Sequence, residues 1–299
     1  MRIFAYRVVQ KGPRGLEDVL SRLAGLPLKD RVFDGAASGM RLEDARLIQH
    51  FMHADLAVPR TGHGPGRMGL DAPLADIEMA KDEAFGEDAG LVYDPASGYL
   101  ALQYNHVGPR IGRIQSYLAA ADLSFGELGP AQPGQSDWDR CGFTFGAVLR
   151  PDAYRRLRQM GIVRKLEFSV SLPGALAEDR DLGRSLNQVL NAPLPDGIET
   201  LEVTMKAAPQ RDSRLGRNPA MAIVEGLQAI APWVKKAQVS GRRDEDSSSE
   251  EVDLVQERLS RDSLVAVGPG QRLPRTDRWT ALATALRDWL ANGDLEVGR

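Results

Sequence analysis

The 299-residue chain has one cysteine, Cys141, and four histidines. A single cysteine cannot form a disulfide within the chain, so a reducing cytoplasm is the expected setting. The apolar neighbours of Cys141 predict a small buried side chain rather than a reactive thiol. No apolar run approaches the roughly 18 residues of a membrane helix, and the short apolar N-terminus predicts a strand rather than a signal peptide. We therefore expect a cytoplasmic protein.

Several catalytic and cofactor motifs are also missing from the sequence. It contains neither GxGxxG nor GxxxxGK[ST], the two loops that hold nucleotide phosphates. It contains no HExxH and no paired CxxC, which are common sources of zinc ligands. A GxSxG nucleophile turn is absent as well. We therefore expect no metal and no cofactor, and these patterns give no support for an enzyme.

One short motif keeps a catalytic alternative open. In RLIQHFMH, Arg46 and His53 are separated by six residues, a spacing that resembles the R-x(4–6)-H signature of HEPN ribonucleases. Such a pair can position a phosphate and an imidazole for attack by a 2′-hydroxyl. That family is a helical bundle, whereas this sequence is rich in strand patterns, and residues 40–58 are compatible with either state. A metal-independent ribonuclease is thus the catalytic alternative.

The most regular stretch of the chain is residues 90–118. Two strand patterns, at 91–93 and 99–104, flank a DPASG turn in which Gly98 supplies a positive φ. Gly108-Pro109 then predicts the start of a helix, because proline is favoured in a first turn. The spacing predicts a buried face with Ile111, Ile114 and Leu118, and a second face with Arg110, Arg113 and Tyr117.

The order of patterns predicts an α+β fold with mixed, mostly antiparallel sheets, flanking helices and two subdomains. Residues 124–139 are rich in glycine and proline and form the best boundary. We therefore predict an N-terminal α+β domain over 1–123 and a C-terminal α+β domain over 140–299. The C-terminal domain carries a charged, serine-rich insertion at 242–253, which we expect to lie in solvent.

Charge is unevenly distributed in this slightly acidic chain. The net charge of −3 argues against a uniformly basic nucleic-acid binder, but basic residues collect in blocks, as phosphate binding requires. The insertion could mask a basic face until a polyanion displaces it. Aromatic residues make up only 6% of the chain, which favours duplex backbone contact over base stacking. The candidate nucleic-acid-binding residues are Arg110, Arg113, Arg155, Arg156, Arg158, Arg164, Lys165, Arg211, Arg214 and Arg217.

The arrangement of segments resembles that of the RexA phage-exclusion proteins and of the KwaB subunit of the Kiwa defence system. The segments that carry the resemblance are KDEAFGEDAGLVYDPASGYLALQYNHVGPRIGRIQSYL, VRKLEFSVSLPG, LNQVL, LEVTMKA and LVQERLS followed by a C-terminal helix. The resemblance implies a cytoplasmic, non-catalytic DNA-binding component of antiphage defence. It also implies a homo-oligomer that works with a membrane-protein partner.

Besides the ribonuclease alternative, the sequence therefore leaves two hypotheses for the function of the chain. The first is duplex DNA binding through phosphates, with the arginine blocks as contacts. The second is a protein-interaction scaffold without nucleic-acid binding, in which the arginines contact an acidic partner or the chain's own acidic insertion.

Overall fold

A computed structural model describes residues 1–33, 39–60, 65–69, 71–81, 83–126, 128–131, 137–171, 200–210, 213–229, 234–268 and 272–295. The strands are β1 Arg2–Gln10, β2 Arg41–Ile48, β3 Phe51–Pro59, β4 Arg67–Gly69, β5 Ala72–Ala75, β6 Gly86–Asp94, β7 Tyr99–Tyr104, β8 Phe143–Ala147, β9 Ile162–Ser171, β10 Thr200–Lys206, β11 Val234–Arg242, β12 Glu250–Asp253 and β13 Ser260–Asp262. The α-helices are α1 Leu16–Gly25, α2 Ile111–Ser124, α3 Pro151–Gln159, α4 Arg217–Ala229 and α5 Arg275–Asn292.

The larger sheet is antiparallel and has the order β13-β1-β7-β6-β3-β2. One edge of β1 pairs with β7, and the other edge pairs first with β13 and then with β8. Helices α1 and α2 cover one face of this sheet, and α5 covers the other. Because both faces are buried, β3 and the second half of β6 are almost continuously buried instead of alternating.

The smaller sheet has the order β10-β9-β11-β12 and is also antiparallel. Leu166, Phe168 and Val170 of β9 pack with α3 and α4 on a separate hydrophobic core. Strands β4 and β5 form a two-stranded ribbon between β3 and β6. Helices on antiparallel sheets confirm the predicted α+β class.

The structure resolves the ambiguity at residues 40–58, which form the antiparallel pair β2 and β3. It also confirms the hairpin of β6 and β7, with Gly98 at a φ of 73°. Helix α2 begins at Ile111, two residues after Pro109, with Arg110 as its N-cap. The prediction that Tyr117 shares a face with the arginines is wrong: its ring is fully buried, and its hydroxyl accepts from Leu42 N and donates to Arg31 O.

The predicted boundary at 124–139 does not coincide with a division between the sheets. Strands β8 and β13 and helix α5 all follow residue 140, yet they complete the sheet that begins with β1. The predicted insertion at 242–253 comprises an exposed turn and strand β12, which pairs with β11. Cys141 is buried, as its neighbours predicted. None of the helices in the described residues is both long enough and apolar enough to cross a membrane.

Candidate anion-binding cleft

A cavity of about 840 Å³ lies where the larger sheet meets α3, α4 and the end of α5. We call this cavity the arginine cleft, because Arg7, Arg155 and Arg158 line it together. Arg7 and Val9 come from β1, opposite Gly146 and Thr144 of β8. Side chains alternate along a strand, so these residues occupy the sheet face opposite Tyr6 and Phe145, which pack with α2. The cleft therefore opens on the α5 side of the sheet.

Helix α3 supplies two of the three guanidinium groups. Its buried residues, Ala153 and Leu157, dock the helix on the smaller sheet. Arg155 and Arg158, three positions apart, both line the cleft, because i and i+3 share a helix face. The Arg158 guanidinium lies 5.0 Å from the centre of the Tyr154 ring, a cation–π geometry that fixes a long side chain. Arg155 forms no ion pair with any residue that the structure describes.

The cleft has a small positive excess. Glu225 and Asp294 also line it, so three guanidinium groups face two carboxylates. Just outside, Arg217 donates a 2.6 Å hydrogen bond from its NH2 to the Arg158 carbonyl. Arg217 and Arg214 are both exposed. Arg217, at the start of α4, therefore extends the positive surface from the cleft, while the predicted site residue Arg211 lies outside the described residues.

Other predicted site residues are held by neighbours. Arg156 donates to Glu257 at 2.6 Å and to Glu250 at 3.3 Å, and Arg150 pairs with the same Glu257. Partial burial acts to raise the pKa of the Glu257 carboxyl, but hydrogen bonds from Arg150 and Arg156 outweigh it, and the pKa is lowered. The predicted site residue Arg156 is therefore paired with Glu250, on β12, and with Glu257, in the turn that follows β12, so its charge is largely neutralised.

The basic residues of β9 are also engaged. Arg164 donates to the carbonyls of Gln210, at 3.0 Å, and Ser213. Lys165 forms an ion pair with Glu167, which also pairs with Lys236 at 2.5 Å. Hydrogen bonds from the two lysines lower the pKa of Glu167 to about 2. Of the arginine block at 150–165, Arg155 and Arg158 are thus the residues that line the arginine cleft, whereas Arg156 lines a separate cavity of about 370 Å³ with Arg242 and Arg243.

Arg110 and Arg113 lie far from this cleft. Both are exposed at the start of α2, on the opposite face of the larger sheet. The NH2 group of Arg110 donates to the His106 carbonyl at 2.8 Å, and its guanidinium lies 6.0 Å from the centre of the Tyr104 ring. The arginines at the start of α2 and those of the arginine cleft therefore lie on opposite faces of the larger sheet and do not form one continuous surface.

The Arg46/His53 pair occupies directly opposed positions of β2 and β3. His53 is buried, its Nδ1 lies 3.1 Å from the Phe51 carbonyl oxygen, and its ring is 5.5 Å from that of Trp279. Burial lowers the pKa of the His53 imidazole. The pair is set in strands, and not in the helical bundle that the ribonuclease signature requires.

No protein-family model matches the chain, and no curated protein matches it. Function is therefore inferred from the geometry of the described residues. That geometry adds Arg7 to the sequence-based candidates. The sequence around Arg7 did not indicate a binding residue. Any half-exposed strand contains polar residues at alternate positions, so one arginine in such a strand is not distinctive.

Proposed function

We propose that the chain binds nucleic acid through its phosphates, with the arginine cleft as the central contact. The observation that carries the proposal is the meeting of Arg7, Arg155 and Arg158, from β1 and α3, on one cavity. Guanidinium groups are suited to phosphate because each presents a planar fork of donors. The exposed Arg214 and Arg217 continue the contact outside the cleft.

Phosphate contacts have a measurable signature. Each neutralised phosphate releases condensed counterions, so the logarithm of the affinity falls linearly with the logarithm of the salt concentration. A protein that uses a few arginines in this way has a modest salt slope and little sequence preference. The assignment gives the chain a binding role and no chemical step.

The biological setting that we propose comes from the resemblance to RexA and KwaB proteins. It favours duplex DNA as the ligand and antiphage defence as the process. It also suggests a homo-oligomer and a membrane-protein partner. Purifying the tagged chain from detergent extracts of infected cells checks both, because a partner co-elutes with the chain and the size of the complex gives the subunit number.

The test of the central proposal is the double variant Arg155→Gln/Arg158→Gln. We expect duplex DNA to bind roughly 10- to 100-fold more weakly, since two charged hydrogen-bonding groups are lost. The salt slope, which is the slope of log affinity against log salt concentration, should decrease in magnitude by about two. Fluorescence anisotropy with duplex DNA, single-stranded DNA and RNA over a salt series measures both quantities. Checking the nucleic acid for cleavage afterwards tests the ribonuclease alternative.

The matched control is Arg110→Gln/Arg113→Gln, which removes the same charge from the opposite face of the sheet. We expect it to change affinity less than threefold, by the nonspecific effect of net charge alone. Equal losses in the two double variants would contradict the assignment to the cleft. Failure of the unmodified chain to bind any nucleic acid, with a protein partner co-purifying, would instead support the scaffold hypothesis.

The carboxylates that pair with Arg156 provide a separate prediction. Glu250→Gln/Glu257→Gln removes the two nearest partners of Arg156, so a further guanidinium of helix α3 becomes available to phosphate. We expect duplex DNA affinity to rise roughly 3- to 10-fold, and the salt slope to increase by about one. The same anisotropy titration measures it.

The control for this prediction is Glu245→Gln/Glu251→Gln, in the same hairpin. It makes the same change in net charge, but neither carboxylate pairs with Arg156 among the described residues. If both double variants tightened binding equally, a general charge effect would explain the result, and the specific masking of Arg156 would be excluded.

A further inference from the structure

A second group of arginines surrounds the start of α5, at the other end of that helix from the arginine cleft. At its centre Asp55, on β3, is almost fully buried. Its Oδ2 accepts hydrogen bonds from Arg275 Nε at 2.5 Å and from Arg278 NH2 at 2.9 Å, and its Oδ1 accepts from Trp279 Nε1 at 3.2 Å. One carboxylate thus fixes three side chains of the first turns of the helix.

Two further carboxylates complete the arrangement. Asp44 on β2 accepts from Arg46, at 2.8 Å, and from Arg275, at 2.9 Å. Asp88 on β6 accepts from Arg272, at 2.5 Å, and forms an ion pair with Arg278, at 2.9 Å. Every guanidinium of the group is therefore held in place by a strand carboxylate, which removes much of the conformational freedom that an arginine ordinarily loses on binding an anion.

These four arginines line one cavity of about 540 Å³. Thr276 and Trp279 also line it, and no carboxylate is among its described lining residues. The three aspartates therefore lie behind the guanidinium groups and not between them and the cavity. Asp277 is in the same helical turn but does not line the cavity. A bound anion would meet Arg46, Arg272, Arg275 and Arg278.

The charge of the group favours an anion. Four guanidinium groups face three carboxylates, which leaves an excess of one positive charge. The N-terminus of α5, a helix of 18 residues, adds about half a positive charge from the aligned peptide dipoles. Backbone N–H groups of a first helical turn have no partner within the helix, so they are also available to an anion.

Arg278 is the most deeply buried of the four arginines. Its side chain is 2% exposed, and it lines the cavity. Its Nε is buried and has no hydrogen-bond partner, whereas NH1 and NH2 both have partners. A buried donor without a partner costs about 1 to 3 kcal/mol, and folded proteins leave few such groups unsatisfied. The Nε is enclosed by protein and does not contact the cavity, so Arg278 contributes its positive charge to the cavity wall and not an Nε hydrogen bond.

We propose that this cavity, which we call the α5 phosphate site, binds the phosphate group of a small molecule. Several guanidinium groups that converge from β2, from the segment before α5 and from α5 itself match a tetrahedral dianion with three free oxygens better than a planar carboxylate. The cavity is larger than a phosphate ion, and the edge of Trp279 gives the attached group an apolar contact. At 1.5 Å per residue, the two ends of α5 are about 27 Å apart. The site is therefore distinct from the arginine cleft and does not depend on the proposed function.

The experiment is calorimetric titration of the full chain with inorganic phosphate, inorganic pyrophosphate and adenosine monophosphate, each matched in ionic strength by chloride. Adenosine serves as the uncharged control. We expect the phosphate-bearing probes to bind and adenosine not to bind. Tighter binding of the nucleotide than of inorganic phosphate would indicate an organic phosphate as the ligand, and the reverse would indicate inorganic phosphate or pyrophosphate.

The site variant is Arg46→Gln/Arg272→Gln, whose side chains are 66% and 70% exposed. We expect phosphate affinity to fall at least 10-fold and duplex DNA affinity to change less than threefold, by net charge alone. Arg155→Gln/Arg158→Gln should give the opposite pattern, and Arg110→Gln/Arg113→Gln should change both affinities less than threefold. Thermal unfolding of each variant verifies folding, and exposed ion pairs contribute little to stability.

Two results would overturn the proposal. One is the absence of binding heat above the chloride control for every phosphate probe. The other is phosphate binding that survives in Arg46→Gln/Arg272→Gln but disappears in Arg155→Gln/Arg158→Gln, which would place the anion in the arginine cleft. Because the DNA titrations use separate variants, failure of the α5 phosphate site leaves the DNA-binding proposal standing, and the converse also holds.

Discussion

Replacing Asp55 with alanine is expected to lower the free energy of unfolding by about 3 to 5 kcal/mol. The carboxylate accepts from Arg275, Arg278 and Trp279, and the substitution leaves Arg278 as a buried charge with one fewer counterion. Burial raises the pKa of the Asp55 carboxyl above its ordinary value, and the Arg278 and Arg275 guanidiniums oppose that rise. The carboxylate thus depends on these arginines as much as they depend on it.

Urea denaturation followed by tryptophan fluorescence measures the effect, since Trp279 lies next to the substituted side chain. Asp288→Ala is the matched control: it also removes an aspartate that pairs with an arginine at α5, but that pair with Arg261 is exposed on both sides. We expect the control to cost at most about 1 kcal/mol. Equal costs for the two substitutions would show that the Asp55 cluster does not hold α5 on the sheet.

Alkaline pH is expected to destabilise the fold through buried tyrosines. Burial raises the pKa of Tyr6 and of Tyr117 from 10.0 to about 12. The folded state therefore keeps both hydroxyls protonated at a pH where the unfolded chain has lost those protons. The free energy of unfolding is therefore at its full value below about pH 10. It falls by about 2 to 3 kcal/mol for each tyrosine as the pH rises toward about 12. Two such losses approach the whole stability of an ordinary domain.

Urea midpoints between about pH 9 and about pH 12 measure this dependence, and the slope counts the protons that unfolding releases. Tyr117→Phe should remove about one proton from the slope. At neutral pH the same substitution should cost about 1 to 3 kcal/mol, because the hydroxyl accepts from Leu42 N at 3.0 Å and donates to Arg31 O at 2.8 Å. An unchanged alkaline slope in Tyr117→Phe would show that the pKa of Tyr117 is the same in the folded and unfolded chain, which would contradict the prediction.

Patterns that repeat over a few residues predicted much of the fold. Aromatic and β-branched residues in RIFAYRVVQ predicted β1, and the DPASG turn predicted the pairing of β6 with β7. Leu16, Val19, Leu20 and Leu23 have helical spacing, and they form the buried face of α1. Such patterns depend on backbone periods of 2.0 and 3.6 residues, so neighbours along the chain are sufficient to read them.

Local patterns failed where they were compatible with both helix and strand. They also failed where a segment distant in sequence supplied the residues that surround a side chain. Residues 40–58 became strands because β3 pairs with β6. Tyr117 is buried because Arg31 and Leu42, remote in sequence, surround its hydroxyl. Neither contact leaves a local pattern.

The candidate sites illustrate the same division. The sequence by itself determined the helix that presents Arg155 and Arg158, since their spacing and the buried Leu157 fix one face. Only the tertiary structure decided that Arg7 joins them, that Glu257 neutralises Arg156 from 101 residues away, and that Asp55 meets Arg275 across 220 residues. Secondary structure follows from interactions between near neighbours, whereas the availability of a charge depends on which opposite charge folding brings beside it.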